Sequence, residues 1–407
     1  MTRIAVAGAG YVGLVTAAGL ARLGHRVTVA ERDAKRRAVI ASGRAPFFEP
    51  GLDALLQEMQ AAGRLTLVET TAEATFGGDV TFIAVGTPDR DGEIDLSQVR
   101  HAALEIGTAM RLKSGPHTVV VKSTVVPGTT SDFVGPLVAT ASGRARAGFG
   151  LAMNPEFLRE GTSLEDFLSP DRIVIGADDA IAERTLLDIY APFDCPKIVT
   201  NARSAELTKY MNNALLATLI SFTNELANLG ATLGGIDTVD VMRGVHLSQY
   251  MRGRNAEGLP PITSFLKAGC GFGGSCFPKD VKALVAHGER AGEPMPILAS
   301  VLAINEAQPR RTVELLKRHW SELAGVRTTV LGLAFKPGTN DVRESPAFPV
   351  LQALLDQKAV VTAFDPIARR EAEAAFPARA GLRYAASLDE ALAGAEAVIV
   401  VTPWKDF

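Results

Sequence analysis

Apolar residues come in short runs separated by glycine-rich turns. "RIAVAG" is a compact apolar run and "GAGYVG" a tight turn, and "LVTAAGLARLG" has helical periodicity ending at Gly24. "HRVTVAE" reads as the next strand, and "DVTFIAVGTP", "HTVVVKST" and "FGLAMNPEF" continue the strand-and-helix alternation. This alternation predicts a parallel sheet with helices on both faces. The stretch "TASGRARAGFG", 140–150, reads as a surface loop, and "DRIVIGADD" and "CPKIVT" follow as further strands.

The pattern then changes. Arg203 to Leu233 is one proline-free helical stretch, longer than the usual globular helix, of a kind that joins domains or forms a dimer face. Residues 246–275 are irregular and rich in Gly and Pro. After Gly325 the alternation returns with "RTTVLGLAF", "AVVTAFDP" and "AEAVIVVTP". The expected fold class is therefore α/β, with two Rossmann-like doubly wound domains joined by a long central helix. The expected boundaries are 1–195, 196–305 and 306–407. A helix should follow the last strand, so this reading expects a C-terminal truncation at Phe407.

Hydrophobic residues make up 47% of the 407 and charged residues 21%, an ordinary balance for a globular protein with large cores. A net charge of -3 gives no global positive field for nucleic acid or an anionic membrane. No apolar run reaches the roughly 18 residues of a membrane span, and the N-terminus is too short and glycine-punctuated for a signal peptide. Three cysteines are too few for a disulfide scaffold. The expectation is a cytoplasmic protein with no nucleic-acid or membrane partner.

Gly8, Gly10 and Gly13, with Tyr11 and Val12 between them, form G-x-G-x-x-G between a strand and a helix. The first glycine permits the turn, the second lets a pyrophosphate approach the backbone, and the third packs helix on strand. The helix N-terminus adds N–H donors and partial positive charge. Glu31 ends the second strand, where a carboxylate accepts a ribose 2′-OH and repels a 2′-phosphate, so the expected cofactor is NAD rather than NADP. The basic run "RDAKRR" beside it reads as a solvated helix start.

"CGFGGSCFPKD" holds Cys270 and Cys276. Zinc needs about four ligands, usually in tighter cysteine pairs or with histidines, and the six histidines form no such motif, so no metal is expected. Cys270 and Cys195 read as packing thiols. Cys276 differs, because Pro278 suits the first position of a helix, which sets Cys276 just before a helix N-terminus with Lys279 nearby. Gly271, Gly273 and Gly274 leave room for a ligand. A reactive thiolate in an NAD enzyme adds to an aldehyde, and the thiohemiacetal loses hydride to give a thioester that water releases as an acid. A plain alcohol dehydrogenase needs no such cysteine.

Lys209 and Asn213 lie four apart on one helix face, with Asn224 near the same stripe. They read either as donors to an oxyanion or as a snorkelling lysine and a locally satisfied amide. Glu156 and Glu160 follow a strand end, as a base or as helix-start carboxylates. Thr124 also follows a strand end. Lys336 and Arg343 are phosphate ligands or surface charge.

With these pieces in order, the chain resembles the nucleotide-sugar 6-dehydrogenases, the UDP-glucose/GDP-mannose dehydrogenase family, over nearly its whole length. The motifs in family order are "GAGYVG", "VGTP", "KSTVVPGT", "NPEFLREG", "SPDRIVIG", "ELTKYMNN", "GFGGSCFPKD" and "GLAFKPGTNDVRES". The resemblance implies two Rossmann-like domains flanking a helix that forms a homodimer core, with a nucleotide sugar bound by the C-terminal domain. It implies oxidation of a sugar C6 alcohol to a carboxylate with two NAD⁺. It places the nucleophile on Cys276, oxyanion donors on Lys209 and Asn213, water-holding groups on Asp280 and Thr124, and a general base on Glu156. Cofactor contacts fall on the glycine turn, Glu31, Thr87, Thr124 and Arg343. Substrate contacts fall on Phe157, Leu158, Glu160, Lys209, Asn213, Phe265, Lys267, Gly269, Gly273 and Lys336.

The family's arginine that reaches a partner's substrate has altered spacing here, with Arg252 and Arg254 in its neighbourhood, and a C-terminal arginine contact of some members would fall beyond Phe407. "SPDRIVIG" leans toward UDP-sugar members, so UDP-glucose is the expected substrate. GDP-mannose or a UDP-N-acetylhexosamine, a two-electron hydroxyacid-type dehydrogenase and a non-catalytic nucleotide sensor are the alternatives.

Overall fold

Every apolar run named above before residue 201 becomes a strand of one eight-stranded sheet. The computed structural model describes residues 1–90, 92–252 and 258–407, in two units, Met1–Met211 and Asn212–Phe407. In the first unit the strands are β1 (Arg3–Ala7), β2 (Arg26–Ala30), β3 (Leu65–Val68), β4 (Val80–Ile83), β7 (Thr118–Val121), β8 (Gly150–Met153), β9 (Ile173–Ala177) and β10 (Lys197–Thr200). A small hairpin, β5 (Asp89–Arg90) and β6 (Glu93–Ile94), stands apart from the sheet. The sheet order is β10-β9-β8-β7-β4-β1-β2-β3. Strands β4, β7 and β8 are buried along their whole length, as helices on both faces require.

Strand order reverses between β1 and β4, and the crevice beyond their carboxyl ends is where open α/β sheets bind ligands. The glycine turn leaves β1 there and enters the helix Tyr11–Arg22.

The sheet departs from the expected all-parallel form. Strand β9 runs antiparallel to β8, with Ala152 opposite Ala177, and β10 runs parallel to β9. An antiparallel pair needs no crossover. The connection 154–172 therefore stays at the carboxyl end of β8, which keeps Glu156 to Glu160 at the ligand end of the sheet. The stretch 140–150 is also only partly loop, because the helix Gly135–Ser142 takes its start, a 3₁₀ turn spans Arg146–Gly148, and β8 begins at Gly150. The long helix is continuous over Ala202–Leu233.

In the second unit β11 (Arg327–Leu331), β12 (Val360–Phe364), β13 (Leu382–Tyr384) and β14 (Ala397–Val400) form a parallel sheet of order β13-β12-β11-β14. Its core joins Val330, Leu333, Val350, Leu351 and Leu354 with the buried Cys270.

Candidate active site

The glycine turn is shaped by close packing. A Cβ on Gly13 would stand 2.0 Å from the Gly8 carbonyl oxygen, and one on Gly8 would stand 2.7 Å from the Ala84 oxygen. Gly10 has nothing within 4 Å of its Cβ position, so the backbone there is open to a bulky anion. Val12 packs partly against the sheet core. The Tyr11 hydroxyl donates to the buried Glu49 and accepts from the Gly161 N–H at 2.7 Å, which links the turn to the loop after Glu160. Glu31 is buried at the end of β2, and its Oε1 accepts from the Asp33 N–H at 2.9 Å. The neighbouring arginines are held by carboxylates, Arg32 by Glu105, Arg36 by Glu31 and Arg37 by Glu69. An open Gly10 with a buried acid at the end of β2 fits NAD.

Beyond β7 and β8 lies a buried cluster of charge. The Lys209 ammonium is 2.8 Å from Glu156 Oε1, with both side chains about 5% exposed. Glu156 Oε2 accepts from the Leu158 N–H at 2.6 Å. Burial pushes the Glu156 carboxyl up, but Lys209, the Leu158 amide and Lys122 outweigh it and hold it below the usual carboxylate range. The Phe157 ring has the Arg172 guanidinium 3.9 Å and the Lys209 ammonium 5.7 Å from its centre. Thr124 is half-buried, and its carbonyl accepts from the Thr87 hydroxyl at 3.0 Å. Glu160 is also half-buried, one residue before Gly161.

In the second unit Cys276 is the N-cap of the helix Phe277–Arg290. The helix thus starts one residue earlier than expected and Pro278 is its second residue, still among positions whose N–H has no helical partner. The Ser275 hydroxyl lies 3.6 Å from the Cys276 sulfur. One turn on, Asp280 is 1% exposed, and it accepts from the Asn213 amide at 2.7 Å and the Lys279 ammonium at 2.5 Å. Asn213 keeps a second amide hydrogen for a ligand.

The glycines of this loop do not provide the open room expected of them. A Cβ on Gly273 would stand 2.1 Å from the Glu344 carbonyl oxygen, and one on Gly274 would meet the Phe335 ring at 2.7 Å. The Arg343 carbonyl accepts from the Gly274 N–H at 2.9 Å, so these glycines let the Cys276 loop press against 335–346. The Arg343 side chain forks onto Asp341, and the Lys336 ammonium lies 6.0 Å from the Phe335 ring centre. Gly269 is anchored at both backbone groups, donating to Asn224 at 2.8 Å and accepting from Gln308 at 2.9 Å. The Phe265 ring is 6.3 Å from that of Phe277, and Lys267 is exposed. Arg252 ends the turn Gln249–Arg252, and Arg254 lies outside the described residues.

Cys270 is 4% exposed, and burial pushes its thiol up, as suits a packing residue. Lys122 is a residue that the sequence reading missed. It is fully inside, with its ammonium 2.9 Å from the Asn154 side-chain oxygen, which also accepts from the Tyr190 hydroxyl at 2.6 Å. Burial and Lys209 push Lys122 down to about 8 against the pull of Glu156. Its signal was a lysine at the end of the apolar run "HTVVV". Glu49 and Glu206 were likewise missed.

The UDP-glucose/GDP-mannose dehydrogenase family matches along the chain, its NAD binding domain over residues 2–194, its central domain over 203–307 and its UDP binding domain over 329–407. UDP-glucose 6-dehydrogenase AglM of Haloferax volcanii is 42% identical over 99% of this chain and 92% of its own length. A UDP-glucose 6-dehydrogenase of Pseudomonas aeruginosa is 42% identical over 100% of this chain and 88% of its own. The solved structure of a UDP-glucose dehydrogenase from Pyrobaculum islandicum superposes with a TM-score of 0.92 at 44% identity, covering 100% of this chain and 91% of that one.

Proposed function

The chain belongs to the UDP-glucose/GDP-mannose dehydrogenase family, and on that premise we propose that it oxidises the C6 alcohol of UDP-glucose to the carboxylate of UDP-glucuronate with NAD. The observation that carries this reading is Cys276 at a helix N-cap with the buried Asp280 one turn on and the Asn213 amide fixed to it. The positive end of that helix favours charge on the sulfur. Gly8 to Gly13 and Glu31 would hold NAD⁺, which would supply the hydride acceptor for both oxidations.

In the first oxidation Glu156, kept ionised by Lys209, is the base for the alcohol proton. In the second, the Cys276 thiolate bonds to the aldehyde carbon, and the carbonyl pair moves onto oxygen. The Lys209 ammonium and the Asn213 amide, four residues apart on one helix, serve as donors to that oxygen. Loss of hydride from the thiohemiacetal leaves a thioester. Thr124 and Asp280 hold the water that attacks it, the C–S bond breaks, and the thiolate and the acid are released. The overall reaction takes up one water and two NAD⁺.

In this reading residues 1–195 bind NAD, 196–305 form a homodimer core and 306–407 bind the nucleotide sugar. Three cysteines in 407 residues are too few for a disulfide scaffold, which suits a reducing compartment, and we place the enzyme in the cytoplasm. No helix of the described residues is long and apolar enough to cross a membrane.

The test is NADH counted per sugar across UDP-glucose, GDP-mannose and UDP-N-acetylhexosamines. Two NADH per UDP-glucose, with UDP-glucuronate as product, is the expected result. The same count on another sugar alone would move the substrate, one NADH per sugar would point to a two-electron dehydrogenase, and none would leave a nucleotide sensor.

A further inference from the structure

Glu206 lies on the long helix three residues before Lys209 and is 0% exposed. Its two oxygens each accept a backbone N–H from the segment that follows β7. Oε2 takes the Gly128 N–H at 2.6 Å and Oε1 takes the Thr130 N–H at 2.7 Å. These amides open a π-helix, Thr129–Val134, a rare form that gathers at functional sites. Two amides converging on one anion make a nest, a motif that usually holds a bound phosphate or a carboxylate. Here the anion comes from another element, 76 residues further along the chain.

The same segment carries Thr124. Its near end is fixed where the Thr124 carbonyl accepts from Thr87. Its middle closes on itself, with the Thr129 hydroxyl donating to the Val126 carbonyl at 2.6 Å. Its far end is fixed by Glu206. The ion pair of Arg203 with Asp132 joins the same two elements, but both side chains are more than half exposed and water screens it. A fully buried carboxylate is an expensive way to cap a six-residue helix. Its particular effect is to set the register of the Thr124 segment against the helix that carries Lys209. Burial pushes the Glu206 carboxyl up, while the hydrogen bonds from Thr130 and Gly128 act the other way.

We propose that Glu206 is a positioning residue for this reaction, holding Thr124 in fixed register with Lys209. The inference rests on the roles of Thr124 and Lys209 given under Proposed function. It predicts an asymmetric defect. Lys209 keeps its own anchor on Glu156, so hydride transfer survives loss of Glu206 better than the water-dependent step does.

The experiment compares Glu206→Gln with wild type by stopped-flow NADH formation and by intact mass of the quenched enzyme. Glutamine keeps the size but turns an N–H₂ toward one of the amides. A misplaced water-holding group lowers the rate by up to about 100-fold. The expected result is a fast burst of two NADH per subunit, a steady state slower than wild type by up to that factor, an acyl adduct on Cys276, and a sugar KM within about threefold. A wild-type steady-state rate in the folded variant overturns the proposal. Equal slowing of hydride transfer and hydrolysis without an adduct also overturns it, because loss of folded enzyme slows every step alike. Glu206→Asp, one methylene shorter, keeps the test available if the glutamine variant does not fold, and the same split is expected in weaker form. The proposed function fails separately, if wild type itself yields one NADH per sugar.

Discussion

Cys276 caps a helix whose first turn also carries Asp280, and the two reach different chemistry from one short sequence. Cys276→Ser should cut acid formation by at least about 1,000-fold, because an alkoxide does not form at neutral pH as a thiolate does. Undiminished UDP-glucuronate from that variant would sink the thioester route. Lys122 leads to a second prediction. Its ammonium titrates at about 8 in the fold against an ordinary 10.5. Between those values the unfolded chain binds more protons than the folded one, so stability rises with pH across the window, by up to about 1.4 kcal/mol per pH unit. Lys122→Met should abolish that slope in urea unfolding across the same window, and parallel slopes would contradict a buried titrating amine. Cys276 and Glu156 stood out in the sequence because one precedes a helix start and the other follows a strand end, Lys209 because it stands four residues from Asn213 on one helix face, and Asp280 only through the family resemblance. Lys122, Glu49 and Glu206 were not, because the partners that give a buried charge its role lie 32, 38 and 76 residues away or more.

At the scale of elements, the strand–turn–helix at the N-terminus separates fold from ligand binding. Gly13→Ala would push a Cβ to 2.0 Å from the Gly8 carbonyl, and such overpacking costs about 1–3 kcal/mol or more. Gly10→Ala meets nothing within 4 Å, and its φ of -70° suits alanine. Thermal melts should therefore show a lowered Tm for Gly13→Ala and an unchanged one for Gly10→Ala. NADH kinetics should show the KM for NAD raised about tenfold by Gly10→Ala, which corresponds to about 1.4 kcal/mol of lost binding. An unaltered KM in that variant would remove Gly10 from the cofactor cradle. The long helix and the central strands were legible because their apolar runs are long or fully buried. Strand β3, "LTLV", and β13, "LRY", were not, because they are short edge strands only partly covered. The reversed direction of β9 was also hidden, since the spacing of apolar residues carries no information on strand polarity. The π-helix after Gly128 depends on a carboxylate from another element, so no local pattern announces it.

The whole molecule has one surface that a monomer would leave unexplained. Along the long helix Met211, Leu215, Phe222, Leu226, Leu229 and Leu233 are all exposed, from 43% at Leu226 to 67% at Leu233. Their spacing of four, seven, four, three and four residues keeps them on one side of a helix, as at the seam of paired helices. Val239 and Val245 on the next helix, Thr238–His246, extend the apolar exposure. Monomers rarely leave so long an apolar stripe in water. We propose a second copy of this chain as the partner, because an identical stripe is complementary to itself about a twofold axis. Phe222→Glu combined with Leu229→Glu removes four buried apolar side chains per dimer. Both are about half exposed in the single chain, so at about half of 1.5–3 kcal/mol each the loss is roughly 3–6 kcal/mol, enough to weaken association by at least about 100-fold. Light scattering should give wild type twice the 43.0 kDa chain mass and the double variant the chain mass itself. A wild type that scatters as a single chain, or a double variant that stays paired, would show that the stripe is not the dimer seam.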